Sequence, residues 1–116
     1  MYKWKPLANE EIKWVGIDFD KTIADNSGFP EFIPGEPLTG AVESMQKLNN
    51  DGYKITIFTA RPWADYSNIE SYCEHYNIPA RRIICGKPLL KVMIDDKNIE
   101  FDGDWNKVLQ KVKNFK

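Results

Sequence analysis

Apolar and polar positions alternate along the chain between two kinds of pattern. Ile12 to Phe19 and Tyr53 to Phe58 are short runs dense in β-branched and aromatic residues, the composition of strands buried inside a parallel sheet. Arg81 to Cys85 and Val92 to Ile94 are shorter runs of the same kind and are the third and fourth predicted strands. Between them the apolar positions recur at helical spacing. In Ala41 to Asn50 the residues Ala41, Val42, Met45 and Leu48 share a face, and Asn50-Asp51-Gly52 supplies a stop. In Ala64 to Tyr76 the face is Tyr66, Ile69, Tyr72, Cys73 and Tyr76, ended by Asn77-Ile78-Pro79. The clearest stripe is Trp105, Val108, Leu109 and Val112, with Asp104 placed to cap it. Strands separated by helices imply crossover units, hence a mostly parallel sheet with helices on both faces.

One stretch departs from both patterns. Ala24 to Pro37 carries three Pro and two Gly directly after the first strand, so it is expected to form an exposed loop or flap. That position matters because parallel sheets bind ligands in the loops at their strands' carboxyl ends.

At 116 residues, without repeats or a linker of Ser and Gly, the chain reads as one domain over 1–116. Its net charge of -1 supplies no global field toward nucleic acid or anionic membrane, though it permits a local basic patch. No apolar run approaches the roughly 18 residues of a membrane span, and Met1-Tyr2-Lys3-Trp4-Lys5-Pro6 lacks the apolar segment of a secretory signal. The cytoplasm is the expected location. Cys73 and Cys85 have no metal-ligand spacing and are expected as core thiols. His75, the only histidine, falls away from the apolar face of its helix and is expected at the surface.

The candidate chemistry gathers at predicted strand ends. The first strand closes on Gly16-Ile17-Asp18-Phe19-Asp20-Lys21-Thr22. If the chain stays extended, Asp18 and Asp20 point to one side. Two carboxylates about 4 Å apart repel by roughly 4 kcal/mol at an effective dielectric of 20, so such a pair calls for a cation or a division between nucleophile and proton carrier. The second strand ends Phe58-Thr59-Ala60-Arg61, where Thr59 can cap the following helix or hold a phosphate oxygen. Gly86-Lys87-Pro88 follows the third strand, and Val92-Met93-Ile94-Asp95-Asp96 closes the fourth with adjacent acids.

In this order, D-x-D-x-T, an apolar strand ending in Thr, a Lys, and an apolar strand ending in Asp-Asp, the chain resembles the haloacid dehalogenase superfamily of phosphoryl-transfer enzymes over residues 12 to 96. The stretches Phe-Thr-Ala-Arg-Pro, Cys-Gly-Lys-Pro and Ile-Asp-Asp-Lys-Asn look like its small bacterial and phage members. Lys21 stands where Gly is commonest. The resemblance implies a three-layer, Rossmann-like α/β fold, with Asp18 as the nucleophile that forms an aspartyl-phosphate and Asp20 as its acid/base. Thr59 and Lys87 would hold the phosphoryl oxygens. Asp18, Asp20 through its backbone carbonyl, and Asp95 with Asp96 beside it would bind Mg²⁺. The gaps after the first and second motifs leave no room for the family's cap domain, so the site is expected to be open, with Phe29, Phe32 and Trp63 as candidates for gripping a leaving group.

The expected activity is therefore Mg²⁺-dependent phosphomonoester hydrolysis on a phosphorylated small molecule, a nucleotide or sugar phosphate. A polynucleotide 3'-phosphatase acting on a nucleic-acid end is the alternative substrate reading. A non-catalytic binding module that kept the fold is the alternative class. A phosphoacceptor receiver domain would carry its motifs in another order, and no glycine-rich dinucleotide or P-loop motif occurs. Lys91 also lies between the second and fourth motifs, but Lys87 follows a strand's carboxyl end and is the expected phosphate contact.

Overall fold

The computed structural model describes residues 13–26 and 33–115. Strand β1 (Trp14–Ile17) is followed by helix α1 (Ala41–Asn50), strand β2 (Lys54–Phe58), helix α2 (Tyr66–Tyr76), strand β3 (Ala80–Ile84) and helix α3 (Trp105–Lys113). The three strands form one parallel sheet in the order β1-β2-β3. Gly16 pairs with Thr56, and Ile17, Ile57 and Ile83 align across the sheet. A 3-10 turn, Trp63–Asp65, leads into α2.

Local signals set the element ends. Helix α1 stops where its C-cap meets the left-handed Gly52, φ 96°, a conformation with little steric cost for glycine. Helix α2 ends at Asn77, φ 59°, one of the few side chains that tolerate that region. Asp104 caps α3 as expected, its carboxylate accepting the Asn106 N–H at 2.9 Å.

Registered positions on adjacent strands point to the same face. Val15, Ile17, Ile55, Ile57 and Ile83 therefore share one face and pack in one cluster with Ala41, Met45 and Leu48 of α1 and Ile69, Tyr72 and Cys73 of α2. Trp105 of α3 joins them, fully buried, and its indole N–H donates to the Thr22 carbonyl at 2.8 Å. On the opposite face Trp14, Gly16, Lys54 and Arg82 are exposed. The expectation of helices on both faces is thus met on one face by the described residues. Sequential strand order explains this: two right-handed crossovers running in the same direction put both helices on the same side.

The fourth predicted strand is a correction. Val92–Ile94 forms no strand, and Ile94 is 97% exposed. Only residues 86–91 lie between the two apolar runs, whereas a parallel crossover takes about a dozen residues or more. Both cysteines are free and buried, and His75 is exposed. Burial pushes the Cys73 thiol up to about 11, with Glu70 adding to the shift. No helix among the described residues is long and apolar enough to cross a membrane.

Candidate active site

The carboxyl end of β1 turns sharply. Lys21 occupies the left-handed region at φ 64°, a conformation that costs a side-chain residue more than it would glycine. The Phe19 carbonyl accepts from the Ile23 and Ala24 N–H groups at 2.9 and 3.0 Å. The base of the flap is stitched by the Asp25 N–H donating to Glu36 O at 2.8 Å and the Leu38 N–H to Ile23 O at 2.7 Å. Tyr72 of α2 donates its hydroxyl to Gly35 O at 2.7 Å. This turn presents Asp18 and Asp20 at the sheet edge where parallel folds bind ligands.

Asp18 meets Lys87, as expected, and Thr22, to which the sequence reading gave no role. Asp18 Oδ1 lies 3.7 Å from Lys87 Nζ, and Asp18 Oδ2 accepts from the Thr22 hydroxyl at 3.3 Å. Lys87 is brought there by β3 and the left-handed Gly86, φ 80°. Its own N–H donates to the Thr59 carbonyl at 2.9 Å, and the Gly86 N–H donates to the Arg61 carbonyl at 2.9 Å. The two strand ends are therefore tied together by backbone hydrogen bonds before any side chain contributes.

Asp20 is held by a residue to which the sequence pattern assigned no role. Arg61 donates from Nη2 to Asp20 Oδ1 at 2.7 Å and from Nε to Oδ1 and Oδ2 at 3.2 and 3.0 Å. This is the planar fork that guanidinium forms with a carboxylate. Arg61 also pairs with Asp65 at 3.4 Å, and its side chain is only 9% exposed. The hydrogen bond to Asp20 raises the guanidinium's pKa above its ordinary value against the opposing effect of burial. Asn26 Nδ2 donates to Asp20 Oδ1 at 2.6 Å. One signal for Arg61 was available in the sequence: a long cation set directly past a strand's carboxyl end can reach the acids of its neighbour.

The remaining expected residues are placed differently. Thr59 is fully buried, and its hydroxyl oxygen accepts the Arg61 N–H at 3.1 Å, a local turn contact and not a helix cap, since the N-cap positions before α2 are Pro62 and Asp65. Trp63 is exposed and stacks on Tyr66 with ring centroids 6.1 Å apart. Phe29 and Phe32 lie outside the described residues. Asp95 and Asp96 sit on the exposed stretch after β3, where Asp95 Oδ1 accepts the Lys97 N–H at 2.9 Å and Asp96 pairs loosely with Lys97 at 3.7 Å. The structure does not bring them to Asp18. Among the described residues no three His, Cys, Asp or Glu side chains gather to hold a metal.

The donors present at the β1 end nevertheless suit a hard cation. The Asp18 carboxylate is 40% exposed, and the buried Asn26 Oδ1 has no hydrogen-bond donor among the described residues. Carboxylate and amide oxygens are the ligands that Mg²⁺ and Ca²⁺ prefer.

No protein-family model matches the chain, and no curated protein matches it. Two solved structures share its fold. A crystallised structural target from Vibrio cholerae is 19% identical, with a TM-score of 0.62 over 86% of this chain and 98% of that one. A conserved protein from Bacteroides thetaiotaomicron is also 19% identical, with a TM-score of 0.65 over 89% and 91% of the two chains. At this identity the likeness is one of fold, and function is argued from the residues at the site.

Proposed function

We propose that the protein is a Mg²⁺-dependent phosphomonoester hydrolase of the haloacid dehalogenase type, whose substrate is a nucleotide or sugar phosphate or, in the alternative reading, the phosphorylated end of a nucleic acid. The observation that supports this reading is that Asp18 and Asp20, two residues apart at the carboxyl end of β1, each meet a cation from a different strand end, Lys87 and Arg61 respectively. A solvated acidic turn has no use for two such cations, one of them largely buried.

In this reading an Asp18 carboxylate oxygen attacks phosphorus and forms the aspartyl-phosphate as the ester oxygen leaves. Asp20 gives that oxygen its proton, then takes one from the water that attacks the phosphoenzyme, which restores Asp18 and releases phosphate. Asp20 Oδ1 carries contacts from Arg61 Nη2, Arg61 Nε and Asn26, whereas among the described residues Oδ2 accepts from Arg61 Nε alone, so Oδ2 is the oxygen suited to the proton transfer. Lys87 neutralises charge at the transferring group, the kind of contact that stabilises a phosphoryl transition state. Bound Mg²⁺ would supply further charge neutralisation and orient the phosphoryl oxygens. Asp18 and the Asp20 carbonyl would hold it, whereas Asp95 and Asp96 lie against Lys97 on the exposed stretch.

The test is hydrolysis of p-nitrophenyl phosphate. Activity should require Mg²⁺, vanish with chelator, and fall by more than 100-fold in Asp18→Asn, which keeps the shape but loses the attacking charge. Activity of that variant within tenfold of the natural protein would overturn the covalent mechanism.

A further inference from the structure

The sheet face that the helices leave open is not featureless. Trp14 is 40% exposed, and two cations gather on it: Arg82 Cζ lies 4.2 Å and Lys54 Nζ 5.5 Å from its ring centroid. Arg82 is fixed there by its Nε donating to Thr56 Oγ1 at 2.8 Å. Neither cation pairs with a carboxylate among the described residues. Next to Trp14 on the same face is Gly16, exposed, with open space where a side chain would stand. Two residues on, just past the end of β1, is Asp18. Lys87 borders the same track, its Nζ 5.5 Å from the Phe58 ring centroid and 3.7 Å from Asp18 Oδ1.

We propose that this face binds single-stranded nucleic acid and leads its phosphorylated end to Asp18. An exposed indole with two cations over its ring that pair with no carboxylate among the described residues, beside bare backbone, fits a partner that alternates flat rings with negative charges over a short repeat. Single-stranded nucleic acid has that chemistry, whereas a duplex hides its ring faces. A second copy of the chain would set Lys54 and Arg82 against like charges, which disfavours self-pairing. Trp14 opens β1 and Asp18 directly follows its last residue, a span of roughly 13 Å at about 3.3 Å per extended residue, so a bound strand must be short or the seated part of a longer one. The binding along the face stands on its own residues; the seating of the end at Asp18 rests on the phosphatase reading.

The two parts separate experimentally. Fluorescence anisotropy of a 5'-labelled, 3'-phosphorylated oligothymidylate of about ten nucleotides, with the full chain in chelator, reads binding without hydrolysis. Saturable binding is expected to weaken with salt at a log-log slope of about -1.4, the value for two contacts to a single strand. Trp14→Leu should weaken it at least about fivefold, the lower end of a lost stacking contact. Trp14→Phe, which keeps a ring, should restore most of the affinity. Lys54→Ala with Arg82→Gln should flatten the salt slope, and Lys107→Ala on α3 should change nothing. No saturable binding at 50 mM salt, near the low end of the usual range of about 50 to 200 mM, would overturn the proposal. So would indifference to Trp14 and the cation pair, equal competition by an acidic peptide, or a dimer abolished by Trp14→Leu. On the catalytic side, Trp14→Leu should lower kcat/KM for the 3'-phosphorylated oligonucleotide while leaving p-nitrophenyl phosphate hydrolysis within about twofold. Failure to hydrolyse either substrate would overturn the seating of the end and leave the binding face to the anisotropy result.

Discussion

Asp20 after β1 and Asp96 after β3 are chemically the same and physically opposite. Asp20 sits in a guanidinium fork with contacts of 2.7 to 3.2 Å, from a side chain only 9% exposed. Asp96 meets Lys97 at 3.7 Å with its own side chain 86% exposed. The first pair lies where two strands and a stitched turn hold the backbone, so fixing the side chains carries little further entropic cost and solvent screens them weakly. The second lies on an exposed stretch, where ordering two long side chains offsets most of the attraction. Charge pairing alone does not make a site; a backbone that has already been fixed does.

The comparison breaks most visibly at Arg61. Arg61→Ala should destabilise the fold by about 3 kcal/mol, because it leaves Asp20 with only the Asn26 hydrogen bond and no paired cation, and opens a gap beside Phe19. Urea unfolding checks this, and Arg61→Lys should recover only part, since a lysine cannot reproduce the fork.

The second expected effect concerns the two lysines. Lys87→Ala should lower phosphatase kcat/KM at least about 100-fold, roughly 2.7 kcal/mol of transition-state stabilisation. Lys91→Ala, altering an exposed residue, should cost less than about fivefold. The reverse ranking would mean that the path between β3 and Asp95 differs from the one described.

The third effect tests burial rather than pairing. The Cys73 thiol ionises near 9 in the unfolded chain and at about 11 in the fold. Between those values the unfolded state has lost a proton that the folded state retains, so stability must fall as pH rises from about 9 to 11, by roughly 2 kcal/mol. Burial pushes the Tyr72 hydroxyl in the same direction. Cys73→Ala should flatten the decline through this window in unfolding curves taken at several pH values.

The smallest effect is at the solvated acids. Asp96→Asn should change stability by less than about 0.5 kcal/mol in the same urea assay. A larger loss would place Asp96 in a structured site and bring it closer in kind to Asp20.

How far these features were legible depended on whether they were local. Helix α1 has the predicted bounds and α3 the predicted cap, because spacing of apolar residues, an Asn-Asp-Gly stop and an Asp cap act within a few residues of themselves. The position of Asp18, Asp20 and Thr59 at strand ends was likewise written in short apolar runs that stop at polar residues. The run Val92–Ile94 satisfied the same rule and forms no strand, since an apolar run becomes a strand only where a neighbour offers an edge within reach of the linker.

By itself the sequence therefore determined which segments are helical, where the three paired strands lie, and that two carboxylates close the first of them. These are consequences of backbone sterics and side-chain periodicity. Tertiary structure alone decided that Arg61 reaches Asp20 across 41 positions of chain, that Thr59 turns inward, and that Trp14 meets Arg82 on an open face. Each of those depends on strand register and order, and register is set by the summed packing of many distant residues rather than by any short motif.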